Sequence, residues 1–109
     1  MKPENVLLVL VTVPNRELAD RLADTVVSER LAACVNIIPG ISSVYRWKET
    51  VQHDEEFLLM IKTTAHKFEA LKERIVELHT YDLPEVLSFN ASDGLEAYMD
   101  WVRQETGSS

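Results

Sequence analysis

Val6–Val13 contains hydrophobic residues at consecutive positions instead of at every second one. Alternate side chains of a strand point to opposite faces, so this pattern predicts a central strand covered on both faces. Asn15 follows as a good helix N-cap. The apolar residues after it recur at helical spacing: Leu18, Ala19, Leu22, Ala23, Val26 and Val27. They predict an amphipathic helix that ends near Arg30 or Leu31.

The middle of the chain predicts a long interrupted β segment and a second strand–helix unit. Ala33–Lys48 alternates apolar and polar residues, and Pro39-Gly40 interrupts it, which indicates a bulge or bend. Glu49–Asp54 predicts a polar connection, and Glu55–Thr63 predicts a strand that is apolar on both faces. Thr64 is a candidate cap for the next helix. The apolar stripe of that helix comprises Phe68, Leu71, Ile75 and Leu78.

The last third of the chain predicts a turn at His79–Pro84, a fourth strand at Glu85–Ala91 and a final helix. Asp93 and Glu96 have the spacing of a capping box at the start of that helix. Its expected buried face comprises Leu95, Tyr98, Met99 and Val102. The order β-α-β-β-α-β plus a helix predicts a ferredoxin-like α+β domain over residues 1–109, with both main helices on one face of an antiparallel sheet.

Two features of this arrangement predict self-association. The two central strands present apolar side chains to both faces, while the main helices cover one face and the last helix covers at most part of the other. The segment from Cys34 to Lys48 would extend about 50 Å, whereas a globule of this length has a diameter of about 35 Å. The hairpin must either bend at Pro39-Gly40 or project beyond the domain, and we favour projection. A projecting hairpin that carries Tyr45 and Trp47 needs a neighbour to cover its rings and edges.

Composition narrows the classes of function. The net charge of −7 in 109 residues argues against nucleic-acid binding, which needs clustered Lys and Arg. Apolar runs of about 18–20 residues, as a membrane span requires, do not occur. Residues 1–5 lack the apolar stretch of a signal peptide, and the single cysteine cannot form an internal disulfide. We therefore expect a cytoplasmic protein.

Five segments carry a family resemblance: Glu29–Asn36, Ser43–Lys48, Glu55–Thr63, His79–Glu85 and Gly94–Trp101. Together they cover most of the chain in order and resemble the CutA family of divalent-cation tolerance proteins. The resemblance implies a homotrimer in which long hairpins join the sheets of different subunits. It also implies a role in the response to copper and other divalent metal ions. The architecture is similar to that of the trimeric PII signalling proteins.

The resemblance makes His79 the leading candidate metal ligand. Copper-binding relatives use a cysteine in the first strand and paired histidines before the tyrosine, but Val11 and Leu78 occupy two of these three positions here. We therefore expect copper or another divalent cation to bind weakly, and no cofactor to be obligatory. The alternative is that His79 only ends a helix. Cys34 is a further candidate ligand, although its setting is typical of a small buried residue.

Aromatic and charged residues from several elements form a candidate cleft between subunits: Tyr45, Trp47, Lys62, Tyr81 and Glu85. Such a cleft suits a small anionic or amphipathic ligand with Lys62 as its charge anchor. Alternatively, the rings are interface anchors. The competing function is therefore a small-molecule-sensing or scaffolding trimer. We expect no enzymatic activity, because the sequence has no nucleophile elbow and no glycine-rich phosphate loop.

Overall fold

The computed structural model describes residues 3–107, so the outermost residues of the predicted 1–109 domain lie outside the described range. Its elements are β1 (Val6–Val13), α1 (Arg16–Ser28), β2 (Cys34–Trp47), β3 (Thr50–Thr64), a 3₁₀ turn (Ala65–Lys67), α2 (Phe68–Leu78), β4 (Leu87–Asn90) and α3 (Glu96–Glu105). The strands form one antiparallel sheet in the order β2-β3-β1-β4. The predicted ferredoxin-like α+β fold with an added C-terminal helix is confirmed.

The core lies between one face of the sheet and the first two helices. Val9, Val11 and Val13 of β1 are fully buried, and they pack with Leu22 of α1 and Leu71 of α2. Each such side chain contributes about 1.5–3 kcal/mol of hydrophobic stabilisation. The predicted stripes of both helices therefore face the same side of the sheet.

Both ends of α1 have identifiable caps. Asn15 Oδ1 accepts a hydrogen bond from the Leu18 N–H at 2.8 Å, which confirms the predicted N-cap. The helix ends at Ser28, earlier than predicted, because Arg30 adopts a left-handed conformation with φ of 60°. The Leu31 N–H bonds to the Val26 carbonyl across this turn, which is the Schellman arrangement made without glycine.

The β2–β3 hairpin contains the predicted bulge but not the predicted loop. The register shifts between Ile38 and Ile41, where Gly40 has a φ of 76°. The expected polar connection at Glu49–Asp54 is wrong, because β3 already begins at Thr50. Lys48 and Glu49 have φ values of 49° and 68° and close a two-residue turn of the type I′ class.

The far end of this hairpin projects from the core. The chain measures 49 × 25 × 22 Å, so its long axis exceeds the diameter of about 35 Å expected for a globule of this length. Val44, Tyr45 and Val51, which lie beyond the bulge, are 62%, 42% and 54% exposed. The predicted projection is confirmed.

The second face of the sheet is only partly covered. Val102 of α3 packs against Val6 and Ala33 at one end of it. Elsewhere Leu8 and Leu10 of β1 pair with Phe89 and Leu87 of β4, and the two β4 side chains are 49% and 52% exposed. Paired residues share a face. These four residues define the open face.

The final helix departs most from the sequence prediction. Asp93 Oδ1 accepts a hydrogen bond from the Gly94 N–H and makes no capping bond to α3, so the capping box does not form. Leu95 and Tyr98 are exposed, and Val102 is the buried member of the predicted apolar face. The apolar stripe is present, but the single chain supplies little surface against which it can pack.

Two boundaries nearer the core also differ. Thr64 does not cap α2, because its hydroxyl bonds to that of Thr106 at 3.1 Å and a 3₁₀ turn precedes the helix. Strand β4 is confined to Leu87–Asn90, which is shorter than predicted. Within residues 3–107, no helix has the length and apolar character needed to cross a membrane.

Candidate functional site

A cleft of about 780 Å³ lies between the projecting part of β2 and the turn that follows α2. Its lining includes four of the five predicted cleft residues: Tyr45, Trp47, Tyr81 and Glu85. The turn supplies Tyr81 and Glu85, while the hairpin supplies the other two. Residues more than thirty positions apart in the sequence thus line one cavity within a single chain. The cleft expected from the sequence lies between subunits and stays a prediction.

The fifth predicted residue, Lys62, lies elsewhere in the chain. It pairs with Cys34 on β2, and its Nζ contacts Asn36 Oδ1 and lies 4.0 Å from Cys34 Sγ. It lies six positions along β3 from Glu56 of the cleft, which is about 20 Å of extended strand. Within one chain, therefore, Lys62 is not a charge anchor for this cleft.

Glu56 is the cleft residue that sequence reasoning missed. The run Asp54-Glu55-Glu56 is typical of a solvated turn, but the structure buries Glu56 to 7% exposure. Its Oε2 accepts a hydrogen bond from the Tyr81 hydroxyl at 2.7 Å. The sequence does contain a pattern that indicates this burial. Residue 56 lies two and four positions before the apolar Leu58 and Met60, so its side chain points to the same face of the strand as theirs.

Two tyrosine–carboxylate bonds organise the cleft wall. Tyr81 donates to Glu56, and Tyr45 donates to Asp54 across the hairpin. Burial, and then the bond to Glu56, raises the pKa of Tyr81 well above its usual range. The bond to Asp54 is the main cause that raises the pKa of Tyr45. Both hydroxyls therefore remain protonated donors at neutral pH.

His79 is held at the base of this turn by two hydrogen bonds. Its Nε2 lies 2.8 Å from the Thr12 carbonyl oxygen, and its Nδ1 lies 3.1 Å from the Tyr81 backbone nitrogen. A carbonyl can only accept and a backbone N–H can only donate, so this network requires the neutral imidazole with its proton on Nε2. A metal ion at either nitrogen would have to displace one of these bonds.

The other candidate metal ligand, Cys34, lies apart from His79. Cys34 pairs with Lys62 of β3, which in turn pairs with Leu8 of β1. His79 instead contacts Thr12, which is about 13 Å further along β1 than Leu8. Burial, and then the neighbouring Cys34 thiol, raises the pKa of Tyr98. Across residues 3–107, the structure contains no group of three or more His, Cys, Asp or Glu side chains arranged to hold a metal ion.

The cleft is acidic. Glu56, Asp82 and Glu85 line it, and Arg46 is the single cationic side chain among the described lining residues. A cavity with excess negative charge attracts cations and repels anions. The cleft therefore favours cationic ligands, whereas the sequence prediction with Lys62 as charge anchor favoured an anionic or amphipathic ligand.

Comparison with known proteins gives a consistent result. Residues 7–105 match the family model described as CutA1 divalent ion tolerance protein. The chain is 50% identical over 100 residues to the divalent-cation tolerance protein CutA of Thermus thermophilus, and the match covers 92% of this chain and 97% of that protein. It is 48% identical over 100 residues to the chloroplastic protein CutA of Arabidopsis thaliana, with 92% of this chain and 55% of that protein covered.

A solved structure shares the fold. The crystal structure of CutA1 from Oryza sativa superposes with a TM-score of 0.93 at 46% identity and covers 98% of both chains. The chain spans nearly the whole bacterial relative but about half of the plant protein from Arabidopsis thaliana.

Proposed function

The chain belongs to the CutA1 divalent ion tolerance family, and on that premise we propose that it acts in tolerance of divalent cations as a non-enzymatic homotrimer. The main observation that supports self-association is the open face of the sheet. The number three rests on the family resemblance, and the need for a partner rests on the exposed surface.

The open face has the character of an interface. Phe89 and Leu87 are each about half exposed, although they sit on a sheet strand beside the apolar Leu8 and Leu10. A contiguous apolar patch on a sheet face costs free energy in water and is the usual mark of a protein contact. Association of subunits removes this surface from water at a gain of about 25 cal/mol per Å².

The projecting hairpin supports the same assembly. Its strands beyond the bulge pair only with each other among the described residues, so their outer edges retain unpaired backbone groups. An edge of this kind is a template for pairing with another chain. Tyr45 and Trp47, exposed at 42% and 37%, would be partly covered by a neighbouring subunit.

Copper binding, in this proposal, is weak. Of the three ligand positions of copper-binding relatives, Val11 is buried in the core and Leu78 packs against it. His79 alone matches, and both of its ring nitrogens already have partners. The role in tolerance therefore does not depend on a preformed three-ligand copper site within one chain.

The assembly is tested by replacing Phe89 with Asp and measuring mass by light scattering. The native chain should give three times its mass of 12.4 kDa at micromolar concentration, and Phe89→Asp should shift the mass towards the monomer, because burial of an unpaired carboxylate in an interface is strongly unfavourable. Val76→Asp is the matched control, since Val76 is 54% exposed on α2 away from the sheet. A monomeric native protein, or a Phe89→Asp protein with unchanged mass, would refute the proposal.

A further inference from the structure

The Glu56 carboxylate is buried without a cationic partner. The residue is 7% exposed, and its Oε2 accepts the hydrogen bond of the Tyr81 hydroxyl. Its other oxygen, Oε1, has no hydrogen-bond or ion-pair partner among residues 3–107. Every fully buried side-chain oxygen or nitrogen in these residues does have a partner, so Oε1 retains solvent access. The cavity that Glu56 lines is the cleft, and Oε1 is therefore an acceptor available to a bound molecule.

The surroundings of this oxygen are aromatic and acidic. Tyr45, Trp47 and Tyr81 contribute three rings to the cleft lining, and Asp82 and Glu85 add negative charge. Aromatic faces attract organic cations through their quadrupoles, most strongly where water is excluded. The cavity volume of about 780 Å³ is within the range of small-molecule sites.

We propose that the cleft binds an organic ammonium ion, which donates an N–H to Glu56 Oε1 and packs its alkyl groups against the rings of Tyr45, Trp47 and Tyr81. A single free carboxylate oxygen suits an ammonium group. A guanidinium group is matched by two carboxylate oxygens, and Tyr81 already holds one of them.

Two other ligand classes fit the cleft less well. An anion would meet the excess carboxylates, with Arg46 as the one cation among the lining residues that the structure describes, because Lys62 lies outside the cavity. An inorganic divalent cation needs several oxygen or nitrogen ligands, and no cluster of three such acidic, histidine or cysteine side chains exists in the described part of the chain. Tyr45 and Trp47, which a neighbouring subunit would partly cover in the proposed trimer, also line this cleft, so binding is measured on the protein in its native assembly. The mass measurement on Phe89→Asp tests that trimer separately.

The binding test uses tryptophan fluorescence of the full chain. The sequence has two tryptophans, Trp47 in the cleft and Trp101 on α3, so a Trp101→Phe background leaves Trp47 as the sole reporter. Butylammonium chloride is titrated at about pH 7.5, where an alkyl amine is protonated. Butan-1-ol, which is neutral and of similar size, is the matched probe. We expect a saturable signal with butylammonium and an affinity at least about tenfold lower for the alcohol.

The site is tested by Glu56→Gln, with Glu55→Gln as the matched control. Both variants lose one negative charge from neighbouring positions, but Glu55 is exposed and does not line the cleft. Glu56→Gln should weaken butylammonium binding by about tenfold to a hundredfold, and Glu55→Gln should leave it unchanged. Equal affinities in the two variants would overturn the proposal.

The comparison of butylammonium with butan-1-ol tests the ammonium site even if Glu56→Gln does not fold, because it uses a chain in which Glu56 is unchanged. Butylammonium and butan-1-ol binding with equal affinity, or no saturable signal with butylammonium, would refute an ammonium site. Saturation by zinc chloride without any response to butylammonium would identify an inorganic cation site instead, and the proposal would be wrong.

Discussion

The bond between Tyr81 and Glu56 allows a quantitative test of how the cleft is held together. In Tyr81→Phe the ring remains, so its contact with the His79 ring at a centroid distance of 4.7 Å can persist. The change removes the hydroxyl that donates to Glu56 Oε2 at 2.7 Å. Glu56, which is 7% exposed as a residue, then has no donor from the described residues.

The expected loss follows from this geometry. A hydrogen bond to a charged group contributes about 1.5–3 kcal/mol to stability. The cleft admits water, which can replace part of the lost bond, so we expect the free energy of unfolding to fall by about 1–2 kcal/mol. Urea unfolding followed by circular dichroism, at a fixed protein concentration, measures this change.

The pH dependence gives an independent check on the same bond. The pKa of Tyr81 is raised in the folded state by burial and by Glu56, so the folded chain holds this proton more tightly than the unfolded chain does. This stabilising contribution is fully present below about pH 10, the ordinary tyrosine value, and is lost as the pH rises from there towards the folded pKa. Phenylalanine has no proton to lose. The stability difference between native protein and Tyr81→Phe should therefore narrow above about pH 10, by at most about 1.4 kcal/mol per pH unit.

Tyr45→Phe is the matched control, because Tyr45 also donates to a carboxylate but is 42% exposed. Its loss should be clearly smaller than that of Tyr81→Phe, as for most surface substitutions. Equal losses in the two variants, or a Tyr81→Phe difference that stays constant between about pH 8 and pH 11, would refute the role assigned to burial.

Two further predictions concern the metal and the first helix. Calorimetry should detect weak, saturable copper binding that falls in His79→Ala but not in His53→Ala, whose side chain is exposed on the hairpin; identical uptake by both variants would exclude His79 as a ligand. Asn15→Ala should lower the free energy of unfolding by about 1 kcal/mol, because it removes the cap on the Leu18 N–H; an unchanged urea midpoint would contradict this assignment.

Strand β1 and helices α1 and α2 were predictable because their signals are local and periodic. The bounds of β1 are as predicted, and the stripes of α1 and α2 pack on the same sheet face. Asn15 caps its helix because cap preference depends on a few neighbouring backbone groups. In each of these cases, the energy that selects the structure comes from residues close in sequence or from one buried face.

The hairpin tip and the last helix lacked such signals. A two-residue turn with positive φ usually contains Asn or Gly, but Lys48 and Glu49 make it here, so the sequence indicated a longer loop. The apolar residues of α3 indicated a buried face, but the chain alone buries Val102 and leaves Leu95 exposed. Hydrophobic periodicity shows that a face needs covering and does not identify the covering surface.

The charge of the cleft was the main feature that sequence reasoning could not obtain. The structure brings Tyr45, Trp47, Tyr81 and Glu85 to one cavity, but the group predicted from the sequence also contained Lys62, and Glu56 was assigned to solvent. Both residues lie on β3, and which one reaches the cleft depends on where the hairpin passes the turn after α2, a tertiary relation with no local pattern. Lys62 balances the charge of Glu85 in the predicted group, so exchanging Lys62 for Glu56 changes the group from neutral to negative. The same aromatic rings that would suit an amphipathic anion beside a lysine then suit an ammonium ion beside a buried carboxylate.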